Sequence, residues 1–167
     1  GLHFIGARDQ LEWVAELPAA LSRGGLHVLQ IRHDTRGAAL QLTAETNIVR
    51  AARKIRELGP KTLVIKRGEY GALCFGPDDS LFAAPALPLE EVIDPTGAGD
   101  SFAGGFMGHL ARTGEITGEN VRRAVIWGST MASFCVEGFS YDALSSLDES
   151  SIKGRYDRFV RLADFPR

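Results

Sequence analysis

Residues 94–106, which read DPTGAGDSFAGGF, are the most informative part of the sequence. Gly97, Ala98 and Gly99 stand where an extended segment passes into a helix, and small residues at such a junction let backbone N–H groups face one point. The helix dipole favours negative charge at that same point. The sequence therefore predicts an anion hole at Gly97, Ala98 and Gly99.

Asp100 follows directly, in the first turn of a helix predicted over residues 100–112. The dipole favours its ionised form, so the carboxylate is a weak base. A weak base suffices for phosphoryl transfer, because the loose transition state keeps the attacking hydroxyl protonated until late. Asp100 is therefore the candidate catalytic base. For the three small residues alone, an ordinary helix start is an equally good interpretation, whereas the thirteen-residue string is far less expected by chance.

The rest of the chain alternates between helical and strand patterns, which is typical of an α/β fold. Residues 62–65 form a short apolar run typical of a strand buried on both faces of a parallel sheet. Residues 72–75 and 81–84 flank a turn and predict a hairpin at the sheet edge. Helices are predicted from Thr46 to a stop at Gly59-Pro60, over 120–136 and 149–162, and over 10–23 with a kink at Pro18; a short strand is predicted over 27–31.

Composition indicates one soluble domain over residues 1–167, with 44% hydrophobic and 24% charged residues. Lys+Arg number 19 against 21 Asp+Glu, so the chain lacks the basic excess of a nucleic-acid-binding protein. No apolar stretch is long enough to span a bilayer, and a membrane partner is not expected. The two cysteines, Cys74 and Cys135, are interpreted as buried thiols in a reducing cytosol, which predicts a cytoplasmic location.

Residues 94–106 resemble the second signature of the ribokinase-like, PfkB-type carbohydrate kinases. The resemblance implies a three-layer α/β/α core with a mostly parallel sheet. It also implies the use of ATP and Mg²⁺ to phosphorylate a hydroxyl of a small sugar or nucleoside. Asp100 would be the base, and the amides of Gly97, Ala98 and Gly99 would stabilise the transferring phosphoryl group. Asp94 and Thr96 would help to bind a K⁺-like ion, although an Asp before a proline is equally well explained as a turn residue.

Residues 65–72 (IKRGEYGA) are similar to the turn with which this family holds ATP. Taken alone, a G-x-x-G turn after a strand is more often a simple hairpin turn; together with residues 94–106 it favours the nucleotide interpretation. The helix over residues 120–136 resembles the wall of the family's adenine pocket. The nucleotide-binding residues implied by the resemblance are Lys66, Gly68, Gly71, Gly128, Ser129 and Met131.

The chain departs from the family pattern in two ways. Members are close to twice as long, so the resemblance implies a fold truncated at the N-terminus, and residues 1–40 match poorly. Arg36 stands where the family has a Glu that organises Mg²⁺, and we hypothesise a reading-frame slip upstream of Gln41. The alternative function is a catalytically incompetent nucleotide-binding or interaction module. A homodimer is compatible with either.

Overall fold

The computed structural model describes residues 10–15, 27–34, 37–44, 47–57, 60–76 and 79–162. Two three-stranded sheets come first along the chain, and four of the five helices follow them. The strands are β1 (Gln10–Ala15), β2 (His27–Asp34), β3 (Gly37–Ala44), β4 (Leu63–Lys66), β5 (Ala72–Phe75) and β6 (Leu81–Ala84). The helices are α1 (Ile48–Glu57), α2 (Ala98–Thr113), α3 (Gly118–Cys135), α4 (Asp142–Ser145) and α5 (Glu149–Leu162).

The first sheet corrects the prediction of a helix over residues 10–23. Gln10–Ala15 is strand β1, which pairs antiparallel with β2 from Gln10 opposite Arg32 to Ala15 opposite His27. The apolar residues Leu11, Trp13 and Ala15 also alternate with period two, so the pattern fitted both structures and the neighbouring strand decided between them. Residues 16–23 lie outside the described residues. The strand predicted over 27–31 is confirmed, within a longer β2 that pairs with β3.

The second sheet lies between α1 on one face and α2 with α3 on the other, which gives three layers. Strand β4 shows why: Leu63 and Ile65 join the cluster formed with α1, whereas Val64 joins the cluster formed with α2 and α3. Successive residues of a strand point to opposite faces, and all three side chains are buried because helices cover both faces of the sheet. The predicted three-layer α/β/α arrangement and the strand buried on both faces are thus confirmed for this sheet.

The predicted parallel pairing is wrong for every strand pair in the described ranges. Strand β4 pairs antiparallel with β5, which pairs antiparallel with β6. The connection from β4 to β5 contains only five residues, too few for the crossover that parallel neighbours need. A run of apolar residues shows that a strand is covered on both faces but not the direction of its neighbours. The hairpin predicted from residues 72–75 and 81–84 is confirmed with the same bounds.

Helices α2 and α3 pack closely because glycines face each other at their crossing. A Cβ built on Gly105 would lie 2.7 Å from the Trp127 carbonyl oxygen, and one on Gly128 would lie 2.8 Å from that of Phe102. Helix α2 ends at Gly114 in the left-handed conformation, and α3 begins where the Thr117 hydroxyl accepts a hydrogen bond from the Asn120 N–H. The predicted helices in these regions and over 149–162 are confirmed.

None of the helices in the described ranges combines the length and the apolar character needed to cross a membrane.

Candidate functional site

The turn before α2 is built by short-range hydrogen bonds. The Asp94 carboxylate accepts from the Thr96 N–H at 2.9 Å, and Gly97 takes the left-handed conformation with φ of 82°. Ala98 N–H donates to the Pro95 carbonyl at 3.2 Å, and Ser101 N–H donates to the Gly97 carbonyl at 2.9 Å. Asp94 is therefore a turn residue, as predicted by the second interpretation of an Asp before a proline. This role does not prevent its carboxylate from also binding an ion.

The first turn of α2 contains backbone N–H groups that have no described hydrogen-bond acceptor. The described hydrogen bonds assign no acceptor to the N–H groups of Gly97, Gly99 and Asp100, which lie at the start of α2, where a helix provides no carbonyl for them. The N–H of Ala98, predicted to belong to the anion hole, already donates to Pro95. The helix start therefore provides the N–H groups of Gly97, Gly99 and Asp100 as donors, and the Asp100 side chain is exposed beside them.

The C-terminal end of α3 holds this turn in place. The Val136 carbonyl accepts from the N–H groups of both Ile93 and Asp94, at 2.8 and 3.3 Å. The buried Cys135 thiol lies 3.5 Å from the Thr96 carbonyl oxygen, to which it donates. The position of the α2 N-terminus is thus fixed by the core helix α3 rather than by the loop alone.

A second glycine turn connects β4 to β5. Gly68 and Gly71 both have positive φ, 56° and 81°, and the Arg67 N–H donates to the Gly71 carbonyl at 2.7 Å. A Cβ on Gly71 would lie 2.0 Å from the Ala84 carbonyl oxygen, whereas one on Gly68 would meet nothing within 4 Å. The turn therefore brings its backbone directly against the end of β6, and Gly68 is left facing open space.

The two turns border one cavity of about 650 Å³. Six predicted site residues line it: Lys66, Gly68, Gly71, Ala98, Gly99 and Ser129. Gly97, Asp94, Thr96 and Asp100 do not line it, although Asp100 follows Gly99 directly. The sequence interpretation missed the apolar lining, which includes Leu87, Leu89, Val92, Ala132, Val136 and Phe159. Pro85 and Pro88 before Leu89 are the local sequence signal for that wall, and the structure adds that Val92 is exposed.

Gly128 and Met131, also predicted to bind nucleotide, are not part of this lining. Gly128 is buried under the Phe102 ring, and the Met131 side chain would be 2.8 Å from a Cβ on Gly105. Both therefore face α2. His109, also on α2, is buried, contacts Asn120 at 2.9 Å and stacks on Trp127, so it is a packing residue.

Lys66 is the cation of the cavity. Burial lowers the pKa of its ammonium from 10.5 to about 8, and the nearby Asp100 carboxylate partly opposes that effect. The pKa of Asp94 is lowered by hydrogen bonds from Thr96 and from the backbone of Ser140, so its carboxylate stays ionised. No group of three or more His, Cys, Asp or Glu side chains that could hold a metal occurs in the part of the chain that the structure describes.

Residues 32–146 match the family model described as pfkB family carbohydrate kinase, which is more than half of the chain. The chain belongs to this family. The sequence predicted a poor match to the family over residues 1–40. The family match begins at residue 32, nine residues before Gln41.

One curated relative and two solved structures illustrate what the chain is similar to. The cytidine kinase of Thermococcus kodakarensis is 46% identical over 76 residues, which are 44% of this chain and 27% of that protein. The Salmonella enterica aminoimidazole riboside kinase, solved with its riboside and an ATP analog, has a TM-score of 0.60 and 26% identity over 68% of this chain and 37% of that one. The Arabidopsis thaliana ribokinase complexed with ribose and ATP has a TM-score of 0.53 and 29% identity, covering 68% and 34%.

Two facts follow from these comparisons. The fold is the ribokinase-like α/β fold that the motif at residues 94–106 implied. The aligned segment spans only about a quarter of the length of the curated relatives.

Proposed function

We propose that this chain is the ATP-binding part of a kinase that phosphorylates a hydroxyl of a sugar or nucleoside. The observation that carries the proposal is the cavity in which the Lys66 ammonium and the N-terminus of α2 meet. The N–H groups of Gly99 and Asp100 have no described acceptor there, and the helix dipole favours an anion at the same place. The phosphates of a nucleotide have the matching charge and acceptor oxygens.

Asp100 takes the hydroxyl proton in the proposed transfer. The bond from the γ-phosphorus to its bridging oxygen breaks, and ADP leaves with that electron pair. A new phosphorus–oxygen bond forms to the acceptor, whose proton passes to the Asp100 carboxylate. The first-turn donors stabilise the charge on the transferring group, as oxyanion-type donors do. Gly97 and Gly99 keep that role, and Asp100 replaces Ala98, because the Ala98 N–H already donates to Pro95.

The ions of the proposal are Mg²⁺ and K⁺. Mg²⁺ commonly binds through one or two carboxylates together with substrate phosphates, so the lack of a larger carboxylate cluster in the described ranges fits an ion carried by the nucleotide. When bound, it would neutralise phosphate charge; Glu69, which lines the cavity, and Asp100, which follows the cavity-lining Gly99, are the acidic residues that would meet it. Asp94 and Thr96 remain the proposed K⁺ residues, supported by the ionised Asp94 carboxylate and the hydrogen bond that ties it to Thr96.

The apolar wall of the cavity completes the nucleotide site in this proposal. Leu87, Val92, Ala132 and Phe159 would face the base, and Ser129 lies on the same wall. Gly128 and Met131 would act indirectly, by setting how closely α2 and α3 pack. The acceptor would be a small molecule such as those named for the relatives, a nucleoside or ribose. The proposed setting is the cytoplasm, as a monomer or homodimer without nucleic acid or membrane.

A coupled assay of ADP release tests this function. The purified 167-residue chain is given ATP, Mg²⁺ and, in turn, cytidine, adenosine, ribose and fructose. We expect turnover with at least one acceptor, and a loss of about 10²–10⁴-fold in kcat for Asp100→Asn. Asp157→Asn, an exposed carboxylate on α5, is the matched control and should leave kcat unchanged. ADP binding with no turnover on any acceptor would favour the catalytically incompetent module instead.

A further inference from the structure

The Lys66 side chain emerges on the face of the sheet that carries the site. Along β4, Leu63 and Ile65 point towards α1 and Val64 points towards α2 and α3, so the next residue in the same alternation returns to the α2 side. The ammonium lies 5.6 Å from the centre of the Phe102 ring, and Phe102 is two residues beyond Asp100. Lys66 therefore reaches over the first turn of α2 instead of extending to solvent.

The charge of Lys66 has no close partner. Its ammonium forms no ion pair with any carboxylate of the described ranges, whereas Arg56, Arg123 and Arg155 all do. Asp100 acts on it only from beyond ion-pair distance, and Glu69 lines the same cavity. A partly buried cation without a close counter-ion is costly unless a ligand supplies the negative charge. The N–H groups of Gly99 and Asp100, which have no described acceptor, would likewise be satisfied by the oxygens of an anionic ligand.

We propose that Lys66 is a catalytic residue whose ammonium contacts the phosphoryl group as it moves from ATP to the acceptor. The inference rests on the proposed function and assigns Lys66 a place within it. Asp100 marks the acceptor end of the reaction, because it receives the hydroxyl proton. The Lys66 ammonium interacts electrostatically with Asp100 and lies over the start of α2. In this proposal it is therefore located between the acceptor hydroxyl and the nucleotide. Lys66 therefore stabilises the transferring group more than it stabilises bound ADP, which lacks that group.

The test compares binding of ADP with binding of ADP plus aluminium fluoride, which imitates the transferring phosphoryl group. Both dissociation constants are measured by calorimetry with Mg²⁺ for the wild-type chain, Lys66→Met and Lys66→Arg. We expect Lys66→Met to change the Kd for ADP by less than about threefold and to weaken the fluoride complex by about 10²-fold, with a similar fall in kcat. Lys66→Arg should restore part of both losses, and Lys153→Met, exposed on α5, should change neither.

Each outcome decides the proposal. Equal weakening of ADP and of its fluoride complex by Lys66→Met would make Lys66 an ordinary nucleotide-binding residue and overturn the inference, as would no weakening of either. A wild-type chain that binds both species but turns over no acceptor would contradict the proposed activity alone, and the two dissociation constants would still decide the role of Lys66. A wild-type chain that binds neither species overturns both proposals.

Discussion

The two glycine turns that border the cavity use the same residue type for different physical reasons. At the β4–β5 turn, Gly71 has both a positive φ and a backbone neighbour 2.0 Å from where a Cβ would stand. At the α2 turn, Gly97 has a positive φ, but a Cβ there would meet only the Cys135 sulfur at an ordinary 3.6 Å. At Gly71 packing and backbone conformation both require glycine, whereas at Gly97 only the backbone conformation does. A glycine motif therefore does not by itself distinguish a ligand-binding loop from a packing contact.

The largest expected effect is on Gly71→Ala. The added methyl group would overlap the Ala84 carbonyl, so the backbone of β6 or of the turn must shift. We expect a loss of about 4 kcal/mol or more in the free energy of unfolding, measured by urea denaturation. Gly68→Ala, at a positive φ in open space, is the matched control and should cost about 1 kcal/mol. Equal losses for the two variants would remove the packing explanation.

Gly128→Ala extends the packing explanation to a residue predicted to bind nucleotide. Its methyl group would lie 2.8 Å from the Phe102 carbonyl and 3.1 Å from the Phe102 ring, so we expect about 2 kcal/mol of destabilisation. Gly104→Ala, on the exposed side of α2 with nothing within 4 Å, should instead stabilise by about 0.5–1 kcal/mol. Thermal unfolding of both variants checks this. If Gly128→Ala has wild-type stability but binds ADP more weakly, the packing explanation is contradicted and a direct role of Gly128 in nucleotide binding is supported.

A smaller effect is expected in the pH dependence of the free energy of unfolding. It arises from Lys66, the last residue of β4 before the β4–β5 turn, which lines the cavity. The pKa of Lys66 is about 8 in the folded chain and 10.5 in the unfolded chain, so the unfolded chain binds more protons between these values. The free energy of unfolding of the wild-type chain should therefore rise from pH 8 to 10.5 relative to that of Lys66→Met. We expect on the order of 1 kcal/mol, because solvent and the facing Asp100 and Glu69 carboxylates moderate the effect. A constant difference across this range would contradict the burial of the ammonium.

A comparably small effect is expected at the second turn, before α2. Gly97→Ala places a methyl group at a positive φ without a clash, so we expect a cost of about 1 kcal/mol in unfolding, like that of Gly68→Ala. Urea denaturation of the two variants side by side measures it. A loss as large as that of Gly71→Ala would show that the α2 turn, too, is held by packing.

The parts of the fold that the sequence predicted correctly are those that depend on neighbours close in the chain. The start of α2 and the hairpin at β5 and β6 follow from local apolar spacing, turn residues and glycines. The strand at Gln10–Ala15 was missed because its apolar residues fit two periods and only its pairing with β2 chooses between them. The parallel sheet was wrong for the same reason, since strand direction depends on connections and partners.

For the site, too, the features set by residues close in the chain were predicted, and those set by distant contacts were not. Residues 94–106 and 65–72 led to the two turns, and six of the predicted residues line one cavity. The role of Ala98 changed because Pro95, three residues away, takes its N–H, a detail of turn geometry that residue types do not specify. Phe159 was missed because it reaches the cavity from a helix that begins fifty residues after Gly99, and only the packing of α5 on α3 brings it there.

The double hydrogen bond to the Val136 carbonyl has a consequence for how the site can open. Because Ile93 and Asp94 both donate to the carbonyl of Val136 at the end of α3, the segment that leads into the site moves away only when both hydrogen bonds break together, and its position depends on a helix whose side chains fill the core. Amide hydrogen exchange at Ile93 and Asp94 should therefore be slow and should speed up together when the end of α3 is loosened. A loop placed at the surface would then exchange on the timescale of the protein interior.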